Sequence, residues 1–152
     1  MRRLKTLFIC LLFTVSLFGS DKFKNNKDSI VLKHLDSLRY YLDKFEVQEP
    51  IYVMSQALWE SGWFRCKNCT WENNNMFGFR GQDGKYMKFN NWIECVQYYA
   101  DWQKNKYKIY KNKYPSGDYY GFLKWVHYAE YEDYISKIKM MHKWILSNWI
   151  KN

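Results

Sequence analysis

Between Glu49 and Glu60 the chain runs Pro50-Ile51-Tyr52-Val53-Met54-Ser55-Gln56-Ala57-Leu58-Trp59 without a charge. Laid on a helix, Ile51, Met54 and Leu58 fall on one side, and Val53 and Ala57 on another. A helix that is apolar around most of its circumference has no face to give to water, so other elements must enclose it. Pro50 suits the first helical position and Gly62 ends the segment. Its last residue is a carboxylate, Glu60, followed closely by Trp63 and Phe64. Apolar surroundings penalise the charged form of an acid, which raises its pKa and lets it donate a proton near neutral pH. Gln56 lies one turn before Glu60 on the same face. The competing reading is a solvated glutamate at a helix end, or one bound to Arg65.

The flanking segments supply what such a helix needs. Ile30/Val31, Leu35, Leu38, Leu42 and Phe45 recur at helical spacing, as do Trp92, Val96, Tyr99 and Trp102, and Tyr134, Ile138, Met141, Ile145 and Trp149. Asn91-Trp92-Ile93-Glu94 has the layout of a capping box. Pro115-Ser116-Gly117 marks a turn, and Asp118 is placed to cap a short helix through Val126. Residues 64–75 read as a loop. Asp83-Gly84 lies between short aromatic runs from Phe77 to Phe89, which predicts a small hairpin. The expected fold class is mainly α (α+β): four to six helices with one small β-hairpin lobe.

The chain has 152 residues, enough for one domain. Residues 1–20 are set apart from it. Arg2, Arg3 and Lys5 precede an almost wholly apolar run from Leu4 to Phe18, then Gly19-Ser20, the layout of a secretory signal peptide. An uncleaved anchor is the competing reading, because Leu17 and Phe18 are poor residues before a cut. Residues 21–152 form the single domain, expected to be exported to the periplasm or outside the cell. No later segment is apolar and long enough to span a bilayer. The leader holds three of the nine net positive charges, leaving +6 on the domain. A cationic exported domain suits an anionic partner, whether cell wall, membrane surface or nucleic acid. Aromatic residues make up 21% of the chain, which fits stacking platforms as well as a core.

An acid placed like Glu60 suggests glycosidic chemistry. Most glycosidases add a second carboxylate, about 5 Å away to retain configuration or roughly 6.5–9.5 Å away to invert it. Glu72, Asp83 and Glu94 are the nearby candidates, and each has a structural reading. Glu72 lies in a polar loop, Asp83 precedes a turn glycine, and Glu94 stands where a helix cap needs it.

At these residues the chain resembles the glucosaminidase family, glycoside hydrolase family 73. Its first motif, near A-Q-A-x-L-E-(S/T)-G, is followed by Ser55-Gln56-Ala57-Leu58-Trp59-Glu60-Ser61-Gly62 with one changed spacing. The second, N-N-L-F-G-(I/M/V)-K, is matched by Asn74-Asn75-Met76-Phe77-Gly78-Phe79-Arg80. A third, an aromatic residue then S-x-x-E-S-(I/V)-x-x-Y-A, is matched from Phe89 to Ala100, with Asn91 and Cys95 in the Ser places. The fourth, Y-A-T-D-x-x-Y, is matched at Tyr128-Ala129 and Tyr134. The motifs occur in family order over residues 48–140. The resemblance implies a lysozyme-like helical body with a small β-lobe flanking a cleft. It implies Glu60 as general acid, Tyr128 opposite it, and Asn75 and Phe77 shaping the cleft. Gln56, Trp63 and Tyr134 complete the expected substrate-binding set. In several members a second acid lies in a longer β-lobe. Here the lobe between Arg80 and Phe89 is short and Asp83 is its only acid. Attack by the substrate's own 2-acetamido group, aided by Tyr128, would replace it.

Cys66, Cys69 and Cys95 remain after the leader, which in an exported chain predicts one disulfide and one thiol. Cys66–Cys69 is the favoured pairing, and a bridge from Cys95 to one of them is the alternative. His34, His127 and His142 show no ligand spacing with the cysteines, so no metal or other cofactor is expected. Lys104, Lys106, Lys108, Lys111 and Lys113 interleave with Tyr107, Tyr110 and Tyr114. That mixture suits nucleic acid, an acidic glycan, or simply a solvated helix with its tyrosines turned inward. Taken together, these features lead to a monomeric peptidoglycan hydrolase, an endo-β-N-acetylglucosaminidase with no nucleic-acid partner and no stable membrane insertion once the leader is removed. The alternatives are a muramidase or lytic transglycosylase, or a catalytically weak wall-binding module.

Overall fold

A computed structural model describes residues 26–66, 70–129 and 133–150. The leader expected at residues 1–20 lies outside them. The described residues form five helices: α1 (Asn26–Lys44), α2 (Pro50–Glu60), α3 (Trp92–Lys113), α4 (Tyr119–Trp125) and α5 (Tyr134–Asn148). A single 3-10 turn spans Thr70–Asn73.

The uncharged segment is the central helix. Every residue of α2 from Val53 to Leu58 is buried. Its principal neighbour is α5, with α1 packed alongside, while α3 meets α1 and α4. The helices turn inward the faces that their spacing predicts. Val31, Leu35, Leu38 and Leu42 come from α1, and Tyr134, Ile138, Met141 and Ile145 from α5. Ile30 departs from the expected stripe and is 53% exposed. Removing a fully buried side chain such as Leu58 by mutation to Ala would cost about 2–5 kcal/mol.

The caps follow local chemistry. The Asn91 side chain accepts from the Glu94 amide at 3.0 Å and opens α3. The Glu94 carboxylate reaches back to the Asn90 amide and the Asn90 side chain, each at 2.9 Å. Asp118 caps α4 through the Gly121 amide at 2.8 Å. By contrast, α2 begins without a side-chain cap: Glu49 is left-handed, with φ 56°, and Pro50 fills the first helical position.

The expected β-hairpin is reduced to one antiparallel bridge, Arg80 with Tyr86, and no strand forms among the described residues. Two cross-links, Gly81 N to Lys85 O at 2.8 Å and Met87 N to Phe79 O at 2.9 Å, bring the arms together. Between the arms lies the side chain of Asn75, whose amide donates to Phe79 O at 2.8 Å and Met87 O at 2.9 Å. A side chain thus occupies part of the pairing that a longer ladder would make. Among the described residues, no helix is long and apolar enough to cross a membrane.

Candidate active site

Glu60 is the last residue of α2, where the helix dipole already disfavours negative charge. Burial pushes its carboxyl up to about 7, and a hydrogen bond with the Tyr134 hydroxyl holds it back from rising further. The side chain is half-buried by surface area, so the acid is sheltered yet still reachable from solvent. A carboxyl in this state is about half protonated at neutral pH, which is what a general acid needs.

The turn that follows the acid is strained. Gly62, Trp63 and Phe64 are successive left-handed residues, with φ values of 54°, 63° and 56°. For Trp63 and Phe64 this costs roughly 1–2 kcal/mol each. Several bonds hold the turn. Trp63 N donates to Leu58 O at 2.8 Å, and Phe64 N donates to the Ser61 hydroxyl at 2.9 Å. That hydroxyl in turn donates to Ala57 O at 2.6 Å. Trp63 stands edge-on to Trp144 at 4.7 Å, and Phe64 tilts against His34 at 5.2 Å. A Cβ on Gly62 would lie 2.9 Å from Cys66 Cβ, so the turn closes only with glycine there. The Thr70 hydroxyl donates to Glu60 O at 3.0 Å and ties the far end of the loop back to the acid.

Gly78 forms the opposite wall. Its φ is 69°, and a Cβ added there would lie 2.9 Å from Glu60 Oε2. The second motif therefore brings bare backbone against the carboxyl. Asn75 holds this loop: it is fully buried, its amide nitrogen serves the two arms, and its oxygen accepts from Phe79 N at 2.9 Å. Phe77 is also buried, at 4.2 Å from Tyr99 between ring centres. The Tyr128 hydroxyl donates to Phe77 O at 2.7 Å. Burial raises the Tyr128 hydroxyl well above the usual phenol range, and the nearby Glu60 adds to this. Tyr128 stacks on Tyr134 at 5.8 Å.

The structure thus brings Glu60, Tyr128 and Tyr134 together and sets the other expected residues around them. Gln56, Asn75 and Phe77 are buried, and the side-chain amides of Gln56 and Asn75 are already engaged, so these residues support the site from within. Trp63 stays half-buried beside α5. Tyr128 lies beside the acid with its hydroxyl proton taken up by the loop. Glu72, Asp83 and Glu94 are exposed. Asp83 is turned to the Lys85 amide at 3.0 Å and Glu94 to its helix cap, so neither has its carboxylate directed at Glu60.

Two groups of residues carry only weak signals in the sequence. Gly78 stands out only as the glycine of the second motif. Helical spacing places Tyr99 on an inward face, and nothing in the sequence marks Tyr119 or Gln103 as its polar partners. A tyrosine on a buried helical face, such as Tyr99, signals a hydroxyl that must find a partner.

Cys66 is disulfide-bonded, to a partner outside the described residues, and Cys95 is buried and free. This overturns the alternative pairing through Cys95. Its thiol lies 3.9 Å from Asn75 Oδ1, and burial pushes it up to about 12, so it is inert packing behind the loop. On α3, Tyr107 and Tyr110 are buried while Lys104, Lys106, Lys108 and Lys113 are exposed, so these two tyrosines pack in the core.

No curated protein and no solved structure gives a match to the chain. The family model described as "Glucosaminidase: Mannosyl-glycoprotein endo-beta-N-acetylglucosaminidase" matches residues 36–145, a span that contains Glu60, Gly78, Tyr128 and Tyr134. With that match covering most of its length, the chain belongs to the glucosaminidase family of glycoside hydrolases.

Proposed function

We propose that this protein is an exported peptidoglycan hydrolase, an endo-β-N-acetylglucosaminidase that cleaves the β-1,4 bond after N-acetylglucosamine with Glu60 as general acid. The observation that carries this reading is the Glu60 carboxyl, raised to about 7 by burial and set against the Gly78 backbone. In the reaction the Glu60 proton passes to the glycosidic oxygen as the bond to the sugar carbon breaks. Charge then develops on the sugar ring, and the substrate's 2-acetamido oxygen attacks from the opposite face to form a cyclic intermediate that water opens. Glu60, now a carboxylate, takes the proton from that water. This route needs one acid, which suits a site where burial and a tyrosine hydroxyl set the acid. Tyr128 holds the Phe77 carbonyl, and through it the Gly78 wall, in place. The net positive charge of the exported domain favours an acidic wall polymer as substrate.

Digestion of purified peptidoglycan followed by mass spectrometry tests the assignment. Fragments with N-acetylglucosamine at the reducing end are expected. N-acetylmuramic acid ends would make the protein a muramidase, and 1,6-anhydro ends a lytic transglycosylase. No products from folded protein would leave only a wall-binding module. The rate should fall as pH rises through about 7, because the acid must carry its proton.

A further inference from the structure

A chain of buried amides and hydroxyls runs from Glu60 to the far end of α2, and its direction is set at that far end. The Gln48 amide donates to Gln103 Oε1 at 2.7 Å, and Gln103 Nε2 donates to Gln48 O at 2.8 Å. A peptide group cannot exchange its N–H for its C=O, so this pair fixes which way the Gln103 amide faces. Its nitrogen then donates to the Tyr119 hydroxyl at 3.1 Å. Having accepted there, Tyr119 bonds the Tyr99 hydroxyl, which donates to Gln56 Oε1 at 2.7 Å. The Tyr119 hydroxyl also lies 3.3 Å from Gln56 Oε1, so one tyrosine proton bridges the two hydroxyls and the other goes to the Gln56 oxygen. With its oxygen occupied, Gln56 must present its nitrogen to the Tyr134 hydroxyl, at 3.2 Å. Tyr134 accepts from Gln56 and keeps one proton to give, and its remaining partner is Glu60.

We propose that Gln103, Tyr119, Tyr99 and Gln56 are positioning residues forming a one-way hydrogen-bond relay, anchored on the Gln48 peptide, that commits the Tyr134 proton to Glu60. Without the anchor, the reversed chain satisfies the same groups. Tyr134 would donate to Gln56 Oε1, Gln56 would donate to the Tyr99 and Tyr119 hydroxyls, and Glu60 would lose its bond. The relay therefore decides how far the acid is held back from the pKa that burial alone would give. Among the described residues, the titratable groups that interact with Glu60 are Tyr134 from α5 and Tyr128 from the segment after α4, and the loop brings the Gly78 backbone against it. Gln103, Tyr119 and Gln56 are buried side chains, at 1%, 1% and 0% exposure, so water does not substitute for the missing links. The relay is defined by geometry alone. Its catalytic consequence rests on the proposed role of Glu60.

Carboxyl-carbon NMR titration of Glu60 in the substrate-free protein reads the relay directly. Gln103→Met removes the anchor at nearly constant volume, and Tyr119→Phe removes one oxygen from the second link. Each should raise the Glu60 pKa by about one pH unit, although neither residue is a hydrogen-bond partner of Glu60. The basic limb of peptidoglycan hydrolysis should move up by the same amount. An unchanged Glu60 pKa in either folded variant overturns the relay. Tyr119→Phe keeps the ring and its packing, so it decides the matter if Gln103→Met fails to fold. A shifted pKa in a protein that cuts no glycan would uphold the relay and defeat the hydrolase reading. Hydrolysis with no shift would do the reverse.

Discussion

On its α5 side Glu60 meets a hydroxyl, and on its loop side it meets a glycine. The α5 side is a layer of tyrosines and glutamines buried among four helices, with hydrogen bonds that join residues 16 to 78 apart in sequence. The loop side has one β-bridge, and its order comes from the Asn75 side chain, from the Tyr128 hydroxyl and from backbone contacts within residues 70–91. The helical side sets how strongly the acid holds its proton. The loop side sets where the carboxyl stands. Energetic perturbations should therefore separate: helix-side changes should move pH dependence, and loop-side changes should move rate at every pH.

Glu60→Gln tests the point the two sides share, and should have the largest effect. A loss of at least ~10²-fold in hydrolysis is expected for a missing general acid. The stability effect has a defined sign. The folded pKa of about 7 lies above the usual carboxylate range, so the folded state binds the proton more tightly than the unfolded one. The stabilisation is full below the unfolded pKa and disappears as pH rises to about 7. Allowing for partial exposure, up to about 2 kcal/mol is at stake. Melting temperatures from pH 4 to pH 8 should show this decline in the native protein and a flatter profile in Glu60→Gln. Equal profiles would mean that the acid is not held in a low-dielectric site.

Gly78→Ala tests the loop side alone. The added Cβ meets Glu60 Oε2 and the left-handed backbone disfavours alanine, so either the carboxyl or the loop must shift. A loss of ~10- to 10²-fold is expected, since small misplacements of a reacting group are costly. The pH limb should keep its position. A shifted limb with unchanged maximal rate would erase the division between the two sides.

Tyr128→Phe should be milder, with ~10-fold or less in rate and about 1 kcal/mol in stability from the lost bond to Phe77 O. Acting through the loop, it should add little to Gly78→Ala in a double-variant cycle. Full additivity would mean that Tyr128 touches the substrate independently. Smallest of all should be Glu94→Gln and Asp83→Asn, whose exposed carboxylates serve a helix cap and a turn. Each should change stability by about 0.5 kcal/mol or less and leave most activity. A collapsed rate in either, with the fold intact, would reveal a second catalytic carboxylate.

The helices were legible in the sequence because burial repeats with the helical period. The stripes of α1, α3 and α5 and the all-round burial of α2 follow from spacing alone. That Glu60 closes an uncharged helix is legible too, and the first family motif, Ser55 to Gly62, contains it; its burial is not, because spacing alone also allows a solvated glutamate at a helix end. The hairpin expected from Asp83-Gly84 forms only in part: the turn is made, but the arms share one bridge and Asn75 takes bonds that a ladder would use. Gln56, Asn75 and Phe77 are expected from the motifs to bind substrate, yet nothing local in the sequence says that their side chains are buried.

Periodicity reports which face of an element turns inward, so the sequence by itself determined the helical frame and the position of the acid. It carries no record of which buried polar atoms meet. That Gln103 reads the Gln48 peptide, that Tyr134 is left with one proton for Glu60, and that Gly78 lies bare against the carboxyl are decisions of tertiary structure. The physical reason is that hydrogen-bond direction and the exclusion of a single Cβ depend on distances of about 3 Å between segments far apart in the chain.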